Sequence, residues 1–359
     1  MMKRFTTLLN TLLSSVSTDV GIDLGTANTL VYVRGKGVVI NEPTVVAMNK
    51  RTNQLVAVGN DAKSMLGRTP THVDVVRPLV EGVVSDFEVT EELIAYLLNK
   101  VRAESRGIVA PRVVVGVPSG ITNVEMRAVR DAVKNAGARE VFLIEEPMAA
   151  AVGAKLPIGK ASGSMIIDIG GGNTDIAVIS LNGVVTSRNL RVAGDHLNAS
   201  IVAYIRSQFK VLVGENTAET AKVSLATITD AEDGRDVVVR GRDVVSGLPR
   251  EVVITDTDVR DAISRPINEI VEAVRMVLEA TPPEILADIM QRGVHLSGGG
   301  ALIPGLSSLL EDVLQIPVVV VPDPLRAVVR GTGVVLEDIS HYNDILIDNE
   351  TEITMHITQ

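Results

Sequence analysis

The sequence contains no cysteine and no tryptophan, and four phenylalanines and four tyrosines supply its whole 2% aromatic content. Without cysteine there is no disulfide framework and no thiolate metal site, and the five histidines (His72, His196, His295, His341, His356) show no close ligand spacing. A reducing cytoplasm fits. A formal charge of −10 and the scarcity of rings argue against nucleic acid as a partner, because backbone binding needs basic stripes and single-strand binding needs stacking platforms. No run of about 18 apolar residues is present, so no spanning helix is expected. What remains is a 359-residue chain, 46% hydrophobic and 22% charged, which has ample material for a folded core and more than one lobe.

The segment MMKRFTTLLNTLLSSV at the start is striped. At about 100° per residue, Phe5, Leu8, Leu9, Leu12, Leu13 and Val16 fall within one arc while Thr6, Thr7, Asn10, Thr11 and Ser14 take the other side. A secretory h-region would be apolar all round. With Lys3 and Arg4 at the head end, the expectation for residues 1–18 is an amphipathic helix lying on an anionic membrane surface; a helix docked on the protein itself is the plainer alternative.

Beyond Thr18, short Val/Ile-rich runs alternate with longer amphipathic segments, the pattern of α/β lobes with buried sheets. Expected strands are 20–24, 30–34, 38–40, 45–48, 112–117, 141–144, 164–169, 176–181, 184–191 and 294–297. Expected helices are 90–104, 123–135, 148–155, 197–213, 218–225, 257–280, 283–292, 305–314 and 324–338, with Asn123, Gly137, Pro304 and Pro317 as punctuation. One echo outweighs any single element. Val20-Gly-Ile-Asp-Leu-Gly-Thr and Met165-Ile-Ile-Asp-Ile-Gly-Gly-Gly-Asn-Thr each read as an apolar strand, Asp-x-Gly, a tight turn and a second strand. Their separation suits two duplicated lobes facing one cleft.

Gly25 lets the backbone turn sharply toward an anion and frees the N–H groups of Thr26, Ala27 and Asn28 to donate. A carboxylate aimed at a triphosphate needs a cation between them, and Mg2+ keeps waters that Asp23 can hold. The same holds for Asp168 with Gly170, Gly171 and Gly172. Gly298, Gly299, Gly300 and Ala301 follow a strand and permit close approach of a flat group such as adenine and its ribose. Glu219 and Lys222, three apart on one helix, fit either a grip on ribose hydroxyls or an exposed ion pair. Gly214 and Glu215 are counted with the cofactor-binding positions. Glu146 ends a strand before Pro147, a place that suits either a water-orienting residue or an acid that merely favours a helix dipole.

Five segments together resemble the phosphate-1, connect-1, phosphate-2, adenosine and connect-2 motifs of the actin, Hsp70 and sugar-kinase superfamily: Asp23-Leu-Gly-Thr-Ala-Asn-Thr, Val117-Pro-Ser-Gly through Ala136, Asp168-Ile-Gly-Gly-Gly, Leu296-Ser-Gly-Gly-Gly-Ala and Arg330-Gly-Thr-Gly. More narrowly, Asn41-Glu-Pro-Thr-Val-Val-Ala, Leu66-Gly-Arg-Thr-Pro, Glu145-Glu-Pro-Met-Ala-Ala-Ala and Leu278-Glu-Ala-Thr-Pro-Pro-Glu resemble the MreB family of bacterial actins, from about Asp19 to Asp338.

The resemblance implies an α/β actin-like ATPase fold, two duplicated lobes forming four subdomains around a nucleotide cleft. Subdomain IA would comprise 19–46, 88–158 and 331–359, IB 47–87, IIA 159–196 and 259–330, and IIB 197–258. It implies ATP or GTP with Mg2+, double antiparallel filaments of the chain itself, and a cytoplasmic position on the inner face of the cell membrane. There such a filament guides cell-wall synthesis and rod shape, with RodZ and MreC/MreD-type elongation proteins as partners. Carried over by motif, Asp23 and Asp168 hold the metal's waters, Glu146 orients the attacking water, and Glu219 and Lys222 contact the ribose. Ile108 and Val109 match a membrane-inserting loop, a second anchor beside the N-terminal stripe.

One departure stands out: Asn173 occupies the place after the three glycines where the family usually has Thr, followed by Thr174, and both are counted with Glu146 and Asp168 in the catalytic set. Asparagine keeps donor and acceptor capacity but lacks the hydroxyl, so binding should survive while hydrolysis changes. The acidic run from Asp338 onward reads as a solvated tail. A small-molecule kinase on the same fold is the enzymatic rival, needing a second substrate pocket and no membrane stripe. An Hsp70-type chaperone would be expected to carry a peptide-binding domain, and none is expected here.

Overall fold

The computed structural model describes residues 18–104, 109–229 and 234–347. The membrane stripe from Phe5 to Val16, and Ile108, lie outside the described residues.

The first lobe begins with strands β1 (Val20–Leu24), β2 (Asn28–Val33) and β3 (Gly37–Pro43), followed by β4 (Val46–Asn49), β5 (Gln54–Val58), helix α1 (Asn60–Met65) and β6 (Val73–Val76). A small hairpin, β7 (Leu79–Val80) and β8 (Val83–Val84), leads into α2 (Phe87–Glu104), β9 (Arg112–Val117), α3 (Asn123–Asn135), β10 (Glu140–Glu145) and α4 (Glu146–Gly153). The second lobe runs β11 (Ser164–Ile169), β12 (Thr174–Ser180), β13 (Gly183–Leu190), α5 (Gly194–Phe209), β14 (Val211–Leu212), α6 (Glu215–Leu225), β15 (Asp236–Asp243) and β16 (Pro249–Thr255). It closes with α7 (Asp256–Glu279), α8 (Pro283–Arg292), β17 (Val294–Ser297), α9 (Leu306–Leu314), β18 (Val318–Val320) and α10 (Ala327–Glu337).

The duplication foreseen in the sequence is visible in topology. One five-stranded sheet has the order β10-β9-β1-β2-β3 and the other β13-β12-β11-β17-β18. Each is an antiparallel three-strand meander whose first strand pairs in parallel with a strand from farther along the chain. Separate three-stranded sheets, β5-β4-β6 and β14-β15-β16, extend the two lobes.

Strand alternation aims the site. Val20, Ile22 and Leu24 face the core of the first lobe, and Met165, Ile167 and Ile169 that of the second; Asp23 and Asp168 therefore leave the opposite faces. Those faces look onto a shared core built by α4 and α10, in which Ile144, Ala150, Ile166, Ala177 and Val328 pack. Both helices carry the chain between lobes, and they touch backbone to backbone: a Cβ on Gly331 would strike the Ala149 carbonyl, and one on Gly153 the Ala327 carbonyl.

Several local expectations are corrected. The cap of α3 is Thr122, in a capping box with Glu125, rather than Asn123. The helix expected over 197–213 stops at Phe209, because Lys210 turns left-handed and Val211–Leu212 pair with Arg242 and Asp243. The segment after Asp338 is packed as far as Ile347: Ile345 is buried in the shared core, and the Ile347 N–H donates to the Leu143 carbonyl at the sheet edge. Apolar residues between the acids decide this.

Candidate functional site

Between the lobes lies a cavity of about 450 Å³. The Asp23 loop forms one wall. Gly25 closes its turn tightly, since a Cβ there would lie 2.7 Å from the Asn28 carbonyl. Thr44 Oγ1 donates to the Gly25 carbonyl at 2.6 Å, and Thr26 Oγ1 accepts from the Gly82 N–H at 2.9 Å. Ala27 and Asn28 open onto the cavity.

The Asp168 loop forms the facing wall and is held by backbone. Gly170 N–H donates to the Asn173 carbonyl at 3.0 Å, while the N–H groups of Gly194 and Asp195 at the start of α5 donate to Gly170 and Gly171. The loops meet: a Cβ on Gly171 would lie 2.6 Å from that of Ala27, and one on Gly172 would lie 2.5 Å from Thr26 Oγ1 and 2.9 Å from the Glu81 backbone. Both glycines admit the other lobe rather than a ligand alone. Gly172 accordingly does not line the cavity.

Four carboxyls gather where the loops face each other. Burial pushes Asp23 up to about 8, helped by the charge of Asp168; burial likewise raises Asp168 to about 6 and Asp175 to about 7. Glu146, the first residue of α4, is held well above the ordinary carboxylate range by burial and then by Asp175, Asp23 and Asp168. Among the described residues none of the four has a Lys or Arg ion partner, and the buried Asp168 Oδ1 has no hydrogen-bond partner. Asp23 and Asp168, which line the cavity, fit a divalent cation, which would repay the mutual repulsion. No group of three acidic or histidine side chains among the described residues is arranged to chelate a metal directly. The donor set therefore suits a cation that keeps its waters.

At the other end, α6 contributes Glu219 and Lys222. Lys222 Nζ donates to Glu219 Oε2 at 2.8 Å and to the Gly194 carbonyl at 3.0 Å, and Asn198 Nδ2 donates to Glu219 Oε2 at 2.6 Å. The pair is thus an ion pair at the cavity wall. Gly298, Gly299 and Gly300 line the same end; Gly298 and Gly300 also pack on Ile169, and Gly298 has a left-handed φ of 79°.

Of the expected site residues, Thr174, Gly214 and Ala301 join Gly172 in not lining the cavity. Thr174 points to the opposite face of β12, donating to the Val192 carbonyl at 2.7 Å, and Ala301 is core. Gly214 caps α6, whereas its neighbour Glu215 does line the cavity and pairs with Arg77 at 2.6 Å. Val109, expected in a membrane loop, is half-buried beside Leu98 and Val101.

The sequence reading missed Arg77, Asp195 and Asn198. Arg77 reaches across the cleft to Asp195 (3.7 Å) as well as Glu215, and Glu81 pairs with Arg191 at 3.2 Å. Only Asn198, a polar residue among apolar helix positions, left a trace in the pattern.

A family model described as MreB/Mbl protein matches residues 17–344. The cell shape-determining protein MreB of Escherichia coli (strain K12) is 47% identical over 338 residues, covering 93% of this chain and 97% of its own. MreB5 of Spiroplasma citri, solved bound to ADP, is 38% identical with a TM-score of 0.86 over 90% of this chain and 97% of that one. Its AMPPNP-bound structure gives 0.85 at 37% identity, over 91% and 98%. The MamK double helical filament, 23% identical over 90% and 99% with a TM-score of 0.76, shares the fold. With such matches along nearly its whole length, the chain belongs to the MreB/Mbl family and has its actin-like fold, two duplicated α/β lobes around a nucleotide cleft.

Proposed function

We propose that this protein is a cytoskeletal, cell-shape filament protein that binds ATP with Mg2+ in the cleft and hydrolyses it slowly. The observation that carries this reading is the pair of loops in contact, with Asp23, Asp168 and the partnerless Asp168 Oδ1 facing one cavity. The N–H groups of Thr26, Ala27, Asn28 and Gly171 would take phosphate oxygens, with Gly170 holding the turn, while Glu219, Lys222 and Gly298–Gly300 would receive the nucleoside. Asp23 and Asp168 would hold the cation's waters. When bound, Mg2+ offsets the negative charge that develops on the phosphates.

Glu146, 6% exposed at the head of α4, would accept a hydrogen bond from a water near the terminal phosphate. Water adds to that phosphorus as the bond to the bridging oxygen breaks, releasing ADP and carrying its proton away on the phosphate product. The subdomain boundaries set out above belong to this reading, supported by the two small sheets that extend the lobes.

Assembly completes the proposal: filaments of the chain lie on the inner face of the cell membrane and guide wall synthesis with RodZ and MreC/MreD-type partners. Burying a large apolar side chain is worth about 1.5–3 kcal/mol, but interfacial burial is partial and ordering a helix costs entropy. One stripe should therefore anchor a monomer weakly and a filament strongly, through multivalency. Pelleting and electron microscopy with and without ATP, Mg2+ and anionic liposomes test this. Nucleotide-dependent filaments that co-sediment with liposomes are expected, and Leu9→Asp with Leu12→Asp should leave filaments intact while abolishing co-sedimentation. Monomers under every condition would overturn the filament reading; unchanged co-sedimentation would overturn the anchor.

A further inference from the structure

Asn173 stands where the resemblance leads one to expect Thr, and its surroundings give that change a structural logic. Backbone alternation at the head of β12 puts Asn173 and Asp175 on one face and sends Thr174 to the other. On that face the Asn173 amide nitrogen sits between two carboxylates, Glu146 Oε2 at 3.4 Å and Asp175 Oδ2 in a short contact. The NH2 end of the amide donates to both, which sets the orientation of the side chain. Its oxygen end is confined by the turn of the β7–β8 hairpin: a Cβ on Gly82 would lie 3.1 Å from Asn173 Cγ and Oδ1. Asp175 is itself pinned. Its Oδ1 accepts from the Ser119 N–H at 3.0 Å and from Asn189 Nδ2 at 3.1 Å, and only 1% of the residue is exposed.

We infer that Asp175 is a positioning residue for hydrolysis, acting through Asn173: it locks the amide so that its N–H is presented to Glu146. Resting on the hydrolysis reading above, this adds a residue absent from the sequence-derived site and explains why Asn is tolerated after the glycines. A threonine there has no amide to be locked. Asp175→Asn preserves shape, but its one amide oxygen is claimed by the Ser119 N–H and Asn189 Nδ2, which leaves its NH2 against that of Asn173, so the Asn173 amide must turn and Glu146 loses its donor.

A double-mutant cycle separates this role from mere support. Phosphate release at saturating Mg-ATP, nucleotide affinity, and side-chain amide resonances of 15N-Asn-labelled full chain are measured for wild type, D175N, N173T and the double variant. Expected is a drop in turnover of about ten- to a hundredfold for D175N when Asn173 is present, comparable to losing an outer-shell partner. In the N173T background the same change should alter turnover less than about twofold, with affinity unchanged throughout. The Asn173 resonance, identified by its absence in N173T, should move in D175N. Equal loss in both backgrounds, or an unmoved resonance, overturns the inference. Wild type that binds ATP yet releases no phosphate overturns the hydrolysis reading instead, and the resonance alone then decides whether Asp175 holds Asn173. Should D175N not fold, D175E, which shifts the carboxylate by one methylene, takes its place.

Discussion

The two glycine loops share one pattern yet are built differently. The Asp23 loop is braced by hydroxyls, with Thr44 holding Gly25 and Thr26 receiving Gly82 from the hairpin. The Asp168 loop is braced by peptide groups, since three glycines leave no side chains for the task, and its N–H and carbonyl contacts run to Asn173 and the start of α5. The first wall is thus fixed by its own lobe's side chains. The second gains its rigidity from a helix and from pressing against the first. Duplication of a motif has preserved the placement of a carboxylate while letting the means of support diverge.

Acidity offers the largest handle on that inequality. Asp23 at about 8 and Asp168 at about 6 both lie above their unfolded value near 4, so the folded, metal-free protein holds protons the unfolded chain has released. Their contribution to stability is full below about pH 4 and is lost as pH rises, through about 6 for Asp168 and about 8 for Asp23. Loss should be on the order of 1.4 kcal/mol per pH unit per group while it titrates. Thermal melts of metal-free protein should therefore show Tm falling from pH 5 to 8.5, with Mg-ATP restoring it most at high pH. Asp23→Asn should make the limb above pH 6 shallower, leaving Asp175 and Glu146 to titrate there; a melt profile that the substitution leaves alone would show that Asp23 holds no proton above pH 6.

Next in size is the cation itself. At neutral pH Asp168 is the more ionised of the two, so Asp168→Asn should cut the Mg-dependent gain in ATP affinity by about 10–100-fold, and Asp23→Asn by less. Titrations with Mg2+ and with EDTA give the ratio, and equal losses would break the asymmetry. The smallest effect separates the glycines. Gly172→Ala drives a methyl between Thr26 and the Glu81 backbone of the opposite lobe and should cost about 1–3 kcal/mol. Gly25→Ala disturbs only its own turn and should cost less, as read from denaturant midpoints.

Much of this was legible in the chain. Strands 20–24, 112–117, 164–169 and 294–297 and helices 123–135 and 283–292 were bounded as the structure has them, because strong apolar runs meet clear punctuation there. β15 and β16 were not foreseen: their alternation is diluted by exposed Val238 and Val253, and pairing with each other rather than local pattern makes them strands. At the site, Asp23, Asp168 and Glu146 could be named from glycine turns and a proline. Arg77 and Asp175 could not, since the first matters only across the cleft and the second only through a neighbour two residues away. Thr174 failed for a related reason: a strand begun two residues after the last glycine sends it to the far face.

The glycine crossing of α4 and α10 bears on how the cleft can open. Two helices in backbone contact have no interdigitated side chains to slide past one another, and moving them apart would empty the most tightly shared part of the core. Turning one upon the other costs little by comparison. Opening would then resemble scissors around a rivet, with small displacements at the glycine loops becoming larger ones out along the lobes, which the separate sheets β4–β6 and β14–β16 extend.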